Sequence, residues 1–147
     1  PKVNVFPYLL MSSLLKIGGG IKNLKHNIKE YDRLILCGPI WMGSLIAPLR
    51  NFIKKYKHNI KNLYFVTCCG STDDKKDDKF GYAHVFSKIK NLMEDKAVHY
   101  LAFPIALVLP EDKVEDGDTI MNTRLTDQNF KGRIQERYED FIDSVSK

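Results

Sequence analysis

The chain has little cysteine, a single tryptophan and no long apolar run. Its three cysteines, Cys37, Cys68 and Cys69, cannot build a disulfide framework, because two are neighbours and the third lies in a segment that reads as buried strand. Free thiols suit a reducing compartment, so the expected location is cytoplasmic. The apolar opening run, Val5–Leu15, is interrupted by Ser12 and Ser13 and falls short of the ~20 residues that span a bilayer. No signal peptide is visible. The histidines His26, His58, His84 and His99 are scattered, without metal-ligand spacing. No Gly-x-Ser-x-Gly elbow serves a hydrolase, and nothing in the spacing of Cys69 and His84 argues for a nucleophile pair. No internal repeat or low-complexity segment occurs.

At 147 residues, with 44% hydrophobic and 28% charged, the composition is that of one globular domain. The net charge of +5 is unevenly spread. Residues 1–61 hold 11 Lys/Arg against 2 acids, a balance of +9, and residues 62–147 hold 12 against 16, a balance of −4. A basic half can serve an anionic ligand, nucleic acid or an acidic partner. Lysines on solvated helix faces account for it as well, and no nucleic-acid-binding motif accompanies them. Nucleic acid is therefore not an expected partner.

The most informative stretch is Tyr31 to Ser44, YDRLILCGPIWMGS. Leu34, Ile35 and Leu36 form a continuous apolar run, as in a strand covered on both faces of a parallel sheet. Gly38, Pro39 and Gly43 then break regular structure. Leu45, Leu49, Phe52, Ile53 and Tyr56 recur at helical spacing, so a helix follows the loop directly. Strand, loop and helix in that order put the loop at the carboxyl end of a parallel strand, where open α/β sheets bind ligands.

The rest of the chain continues the pattern. Residues 1–29 read as a peripheral apolar helix, a Gly18–Gly20 linker and a basic connector. The triple glycine is not a phosphate cradle, since no strand precedes it and no Lys-Ser/Thr follows. Leu63–Thr67 is a second buried strand, followed by Cys68-Cys69-Gly70-Ser71 and a charged run to Lys79. A helix over Phe80–Glu94 comes next, then a third strand over Val98–Leu109 containing Pro104. Proline lacks a ladder donor, so this strand belongs at a sheet edge. Pro110–Asp127 is an acidic excursion whose carboxylates lack calcium-loop register and read as solvated. The closing helix is expected to start at Thr126 or Asp127, with Phe130, Ile134, Tyr138, Phe141, Ile142 and Val145 on its buried stripe.

GPIWMGS, with Ala47 and Pro48 after it, resembles the flavin-contacting loop that follows the third strand of flavodoxin-like proteins. FVTCCGS (Phe65 to Ser71) resembles the loop after that family's fourth strand. The resemblance runs from about Glu30 to the end and is closest to the flavodoxin and quinone-reductase-like branch. It implies a doubly wound parallel sheet of order 2-1-3-4-5, whose fifth strand is an edge, in agreement with Pro104. It also implies FMN as cofactor, with FMN-dependent electron transfer or NAD(P)H:quinone-type reduction as the function. No catalytic side chain and no metal are called for, because the redox chemistry belongs to the flavin.

A flavin needs flat apolar faces, backbone partners for its polar edge, and amides for its phosphate. On the resemblance, the first two fall to Pro39, Ile40, Trp41, Met42 and Gly43, and to Thr67, Cys68, Cys69 and Gly70. Tyr82 is a further stacking candidate. Trp41 also reads as a space-filling core tryptophan, and the vicinal thiols as packing. The family's Thr-Gly-Asn-Thr type phosphate loop has no counterpart, nor do its first strand, first helix and second strand. The expectation is a single flavodoxin-like domain, 1–147, that lacks its amino-terminal half as a fragment of a longer product. Long-range carriers of the family are usually acidic, so the basic half favours an enzyme. The alternative is a flavin-free remnant that acts as a dimerisation or partner-binding module, pairing chains across its exposed strand edge.

Overall fold

The structure, a computed structural model, describes residues 7, 21–41, 43–94 and 96–146, and of Trp41 the backbone alone. The expected opening helix and glycine linker lie, Pro7 apart, outside the described residues. In chain order the elements are β1 (Arg33–Cys37), β2 (Ile40–Trp41), β3 (Ser44–Leu45), α1 (Ala47–Tyr56), β4 (Asn62–Cys69), α2 (Tyr82–Met93), β5 (Ala97–Pro104), α3 (Gly117–Asn122) and α4 (Arg133–Ser146). Short 3-10 turns join several of them.

β1, β4 and β5 form a parallel sheet in the order β1-β4-β5. This corresponds to the 3-4-5 part of the expected strand order. β5 lies at the edge, and Pro104 is its last residue, where the missing N–H costs no central ladder bond.

Side chains alternate across each strand, so register decides which residues share a face. Leu36 lies beside Phe65 and Phe65 beside Tyr100. This face is covered by the two crossover helices: Ile53 of α1, Leu63 and Phe65 of β4, and Val85 and Ile89 of α2 are all 0% exposed. Full burial of such a side chain stabilises the fold by roughly 1.5–3 kcal/mol. α1 starts with Pro48 in its first turn, where a helix needs no N–H, and ends with Lys54 and Lys55 against its negative pole. Ile28 of the basic connector joins the same core.

The opposite face is covered by α4. Tyr64 stacks on His99 at 4.4 Å, meets the edge of Phe141 at 6.0 Å and donates its hydroxyl to the Ser144 carbonyl at 3.3 Å. Ile134 of α4 is completely buried. With helices on both faces, the sheet is doubly wound.

Several boundaries differ from expectation. β1 is covered on one face only: Arg33, Ile35 and Cys37 are exposed, Ile35 by 46%, because α4 packs over β4 and β5. Leu45 belongs to β3 rather than to the helix after it. β4 continues through Cys69, and β5 stops at Pro104, giving way to a 3-10 turn over Ile105–Val108. The acidic excursion contains α3, and Asp116 is its cap, accepting from the Asp118 N–H at 3.2 Å. α4 starts at Arg133, not Thr126 or Asp127. Asn129 takes the Thr126 N–H at 2.8 Å and closes a turn there, and Gly132 at φ +66° leads into the helix. Tyr138 and Ile142 of the expected stripe remain 45% and 40% exposed.

Candidate functional site

The loop after β1 is more regular than its glycines and proline suggest. The Gly38 N–H donates to the Val66 carbonyl at 3.1 Å, carrying the β1–β4 pairing one residue further. A Cβ at Gly38 would stand 2.3 Å from Leu49 Cδ1, so α1 packs directly on this backbone. β2 and β3 then pair antiparallel, Ile40 with Leu45 and Trp41 with Ser44. A two-residue hairpin turn demands a positive φ, which Gly43 supplies at +64°. Gly43 is also held from outside: Lys88 Nζ donates to its carbonyl at 2.7 Å, and a Cβ would lie 2.4 Å from the Lys79 carbonyl oxygen. The loops after β1 and β4 are therefore packed against each other.

At the end of β4 the side chains still alternate. Thr67 is 1% exposed and donates its hydroxyl to the Cys68 carbonyl at 3.3 Å. Cys68 is exposed and Cys69 buried. Burial raises both thiols above their ordinary value, Cys69 to about 11, so neither is a ready nucleophile. Beyond them, a Cβ at Gly70 would come within 3.0 Å of Ile120 on α3, which seats the acidic excursion on this loop.

The loop is tied down at Asp73. Its carboxylate accepts from the Tyr82 hydroxyl at 2.8 Å, pairs with Arg137 of α4, and lies 3.5 Å from Arg133. Desolvation raises the Asp73 pKa, yet the Tyr82 and Arg137 hydrogen bonds and the two arginine charges hold it below its ordinary value. Tyr82 shifts the other way, to about 12, through burial and the adjacent carboxylate.

At the carboxyl ends of the three parallel strands lies a groove of about 370 Å³, lined by Cys37, Gly38, Pro39, Thr67, Cys68 and Phe103, together with Val66. Its walls are largely apolar, and backbone groups of Gly38 and Pro39 stand at one side. Such a groove fits a flat ring edged by polar atoms. Three of the residues singled out in the sequence, Pro39, Thr67 and Cys68, meet in it. Ile40 instead packs among the core side chains, and Cys69 turns to the opposite face with Tyr82 and Ala102. Gly43 shapes the hairpin, Gly70 contacts α3, and Tyr82 is buried with its ring 5.4 Å from Phe86. The side chain of Trp41 and all of Met42 lie outside the described residues.

Phe103 was not singled out from the sequence. The signal was available: Ala97, His99, Leu101 and Phe103 share one face of β5, and the register sets Phe103 beside Cys68. Among the described residues, no cluster of three or more His, Cys, Asp or Glu could hold a metal, and no helix is long and apolar enough to cross a membrane.

The chain matches the family model described as Flavodoxin domain over residues 20–109, more than half its length. The chain belongs to the flavodoxin domain family. The matched span of this flavodoxin domain takes in the three-stranded sheet, the helices α1 and α2, and both loops at the groove. Its fold is the flavodoxin-like α/β fold, as the parallel order β1-β4-β5 and the helices on both faces require. No curated protein matches the chain. Among solved structures, a flavoprotein in complex with FMN from Lactobacillus acidophilus NCFM is similar at 14% identity and a TM-score of 0.45. The similarity covers 65% of this chain and spans 60% of that flavoprotein.

Proposed function

We propose that this flavodoxin domain binds FMN and acts in redox chemistry, by electron transfer or by NAD(P)H:quinone-type reduction. One observation supports the reading above others. The loops after two adjacent parallel strands are braced together around an apolar groove, and they are the loops whose sequences resemble the family's flavin contacts. When bound, FMN supplies one- or two-electron transfer through its ring system. The protein residues bind and orient it: Pro39 and Phe103 offer apolar surface, the Gly38–Gly43 backbone offers partners for a polar edge, and Thr67 and Cys68 close the floor. The Asp73 clamp keeps the second loop in place.

The test is an FMN titration of the chain, followed by quenching of flavin fluorescence and repeated on a form extended upstream. Saturable quenching by either form supports the reading, and quenching by neither sinks it. Turnover separates the two roles, since an enzyme oxidises NAD(P)H with a quinone acceptor and a carrier only cycles.

A second reading, a flavin-free module that pairs chains, is favoured by the open side of β1. That strand is an edge of its sheet, and Ile35 is 46% exposed there. It predicts an FMN-independent oligomer whose size rises with concentration in sedimentation experiments.

A further inference from the structure

A second cavity, separate from the groove, lies between the loop after β4 and the acidic excursion. It holds about 330 Å³ and is lined on one side by Gly70, Ser71, Thr72 and Phe80 and on the other by Val114 and Ile120. That volume is at the lower end of the range for small-molecule sites. Both walls are fixed. Ile120 approaches the Gly70 backbone, and Asp116 caps the short helix that carries Ile120. At the mouth, Lys75 pairs with Glu115, joining the two walls.

The chemistry of this cleft narrows what it can hold. Phe80 is 55% exposed, unusual for a large apolar ring unless it serves a contact. Lys79 lies 5.5 Å from its centroid, which adds positive charge beside the ring. Val114 and Ile120 give an aliphatic wall opposite. The charges at the rim, Lys75 with Glu115, cancel each other, so the cleft selects neither a free anion nor a cation. What remains is a neutral planar ring with hydrogen-bond acceptors at its edge. The Lys75 ammonium supplies a donor for such an acceptor, and its pairing with Glu115 raises its pKa, keeping it protonated at neutral pH.

We infer that the cleft between the loop after β4 and the acidic excursion binds a small quinone-class aromatic, its ring on Phe80 and a carbonyl oxygen toward Lys75. The inference rests on the quinone-type reading above and gives it a place: one loop, Gly70 to Asp73, borders both the candidate flavin groove and the acceptor cleft. The acidic excursion, which the sequence leaves as a solvated loop, then acts as the wall of a substrate site.

The test uses the full chain without added FMN and titrates menadione by isothermal calorimetry. Val114→Trp fills the cleft and Phe80→Ala removes the ring platform, with circular dichroism checking the fold of each. Saturable binding to the unaltered chain is expected, weakened about tenfold or more in both variants. Phe80 is exposed, so its variant tests the site even where the bulky replacement fails to fold. Absence of saturable binding, equal binding by Phe80→Ala, or displacement of menadione by saturating FMN would overturn the inference. The FMN titration of the same variants keeps the two questions apart. Menadione binding lost on these substitutions, in a chain that does not bind FMN, upholds the cleft and removes the flavin reading alone.

Discussion

Arg137 on the last helix pairs with Asp73 in the loop after β4, joining segments 64 residues apart in the chain. Through this pair α4, which covers one face of the sheet, also fixes a loop at the carboxyl end. The other Arg137 nitrogen donates to the Ala102 carbonyl on β5 at 3.2 Å, so the guanidinium bridges loop and sheet. The candidate site is in this way anchored by an element beyond the residues that the family model matches.

Asp73→Asn should destabilise the fold by about 1–3 kcal/mol at pH 7, since it removes a charged partner from Arg137 and Tyr82. The folded pKa of Asp73 is below its ordinary value of 3.8, so its contribution is fully present above that pH. It is lost as pH falls through the folded pKa. Urea unfolding from pH 7 down to about 2 should show the wild-type advantage shrinking below about pH 4. An advantage that is constant over this range would contradict the clamp.

Gly43→Ala places a Cβ on a residue at φ +64° and against the Lys79 carbonyl oxygen. The strain, about 1–3 kcal/mol, can be relieved only by displacing the hairpin from the loop after β4. Thermal unfolding should fall by several degrees and FMN affinity by about tenfold or more. Unchanged FMN affinity in a folded variant would remove the hairpin from the binding site.

Cys69 should resist alkylation until pH approaches about 11, because burial holds its thiol protonated. Cys68 is raised too but exposed, and should label ahead of it. Iodoacetamide labelling read by mass spectrometry, against a urea-unfolded control, measures both. Labelling of Cys69 in the native chain at neutral pH as fast as in urea would refute its burial.

Ile89→Ala should cost about 2–5 kcal/mol, since Ile89 is 0% exposed between α2 and the sheet. Denaturant midpoints report the loss. A cost under about 1 kcal/mol would mean that α2 does not seal this core.

The strands were legible in the sequence because a buried parallel strand needs a continuous apolar run, as in Leu63 to Val66, and because Gly38 and Gly70 stop such runs. Pro104 even placed β5 at an edge, through its missing donor. The ends were less legible. Cys68 and Cys69 remain in β4 because β5 continues beside them, Phe103 and Pro104 opposite, and that pairing is not written in either segment alone. The cap on α4 was misplaced because the Asn129 side chain turns the chain at Thr126 before the helix can start.

By itself the sequence determined the alternation of strand and helix and the two loops that resemble flavin contacts, since hydrophobic period and glycine placement are local properties. Only the tertiary structure decided that β1 keeps one face open, that Phe103 joins Pro39 and Cys68 in one groove, and that the acidic excursion docks on Gly70. Those outcomes depend on strand register and on contacts between segments far apart in the chain, where one residue of slip would send each side chain to the other face.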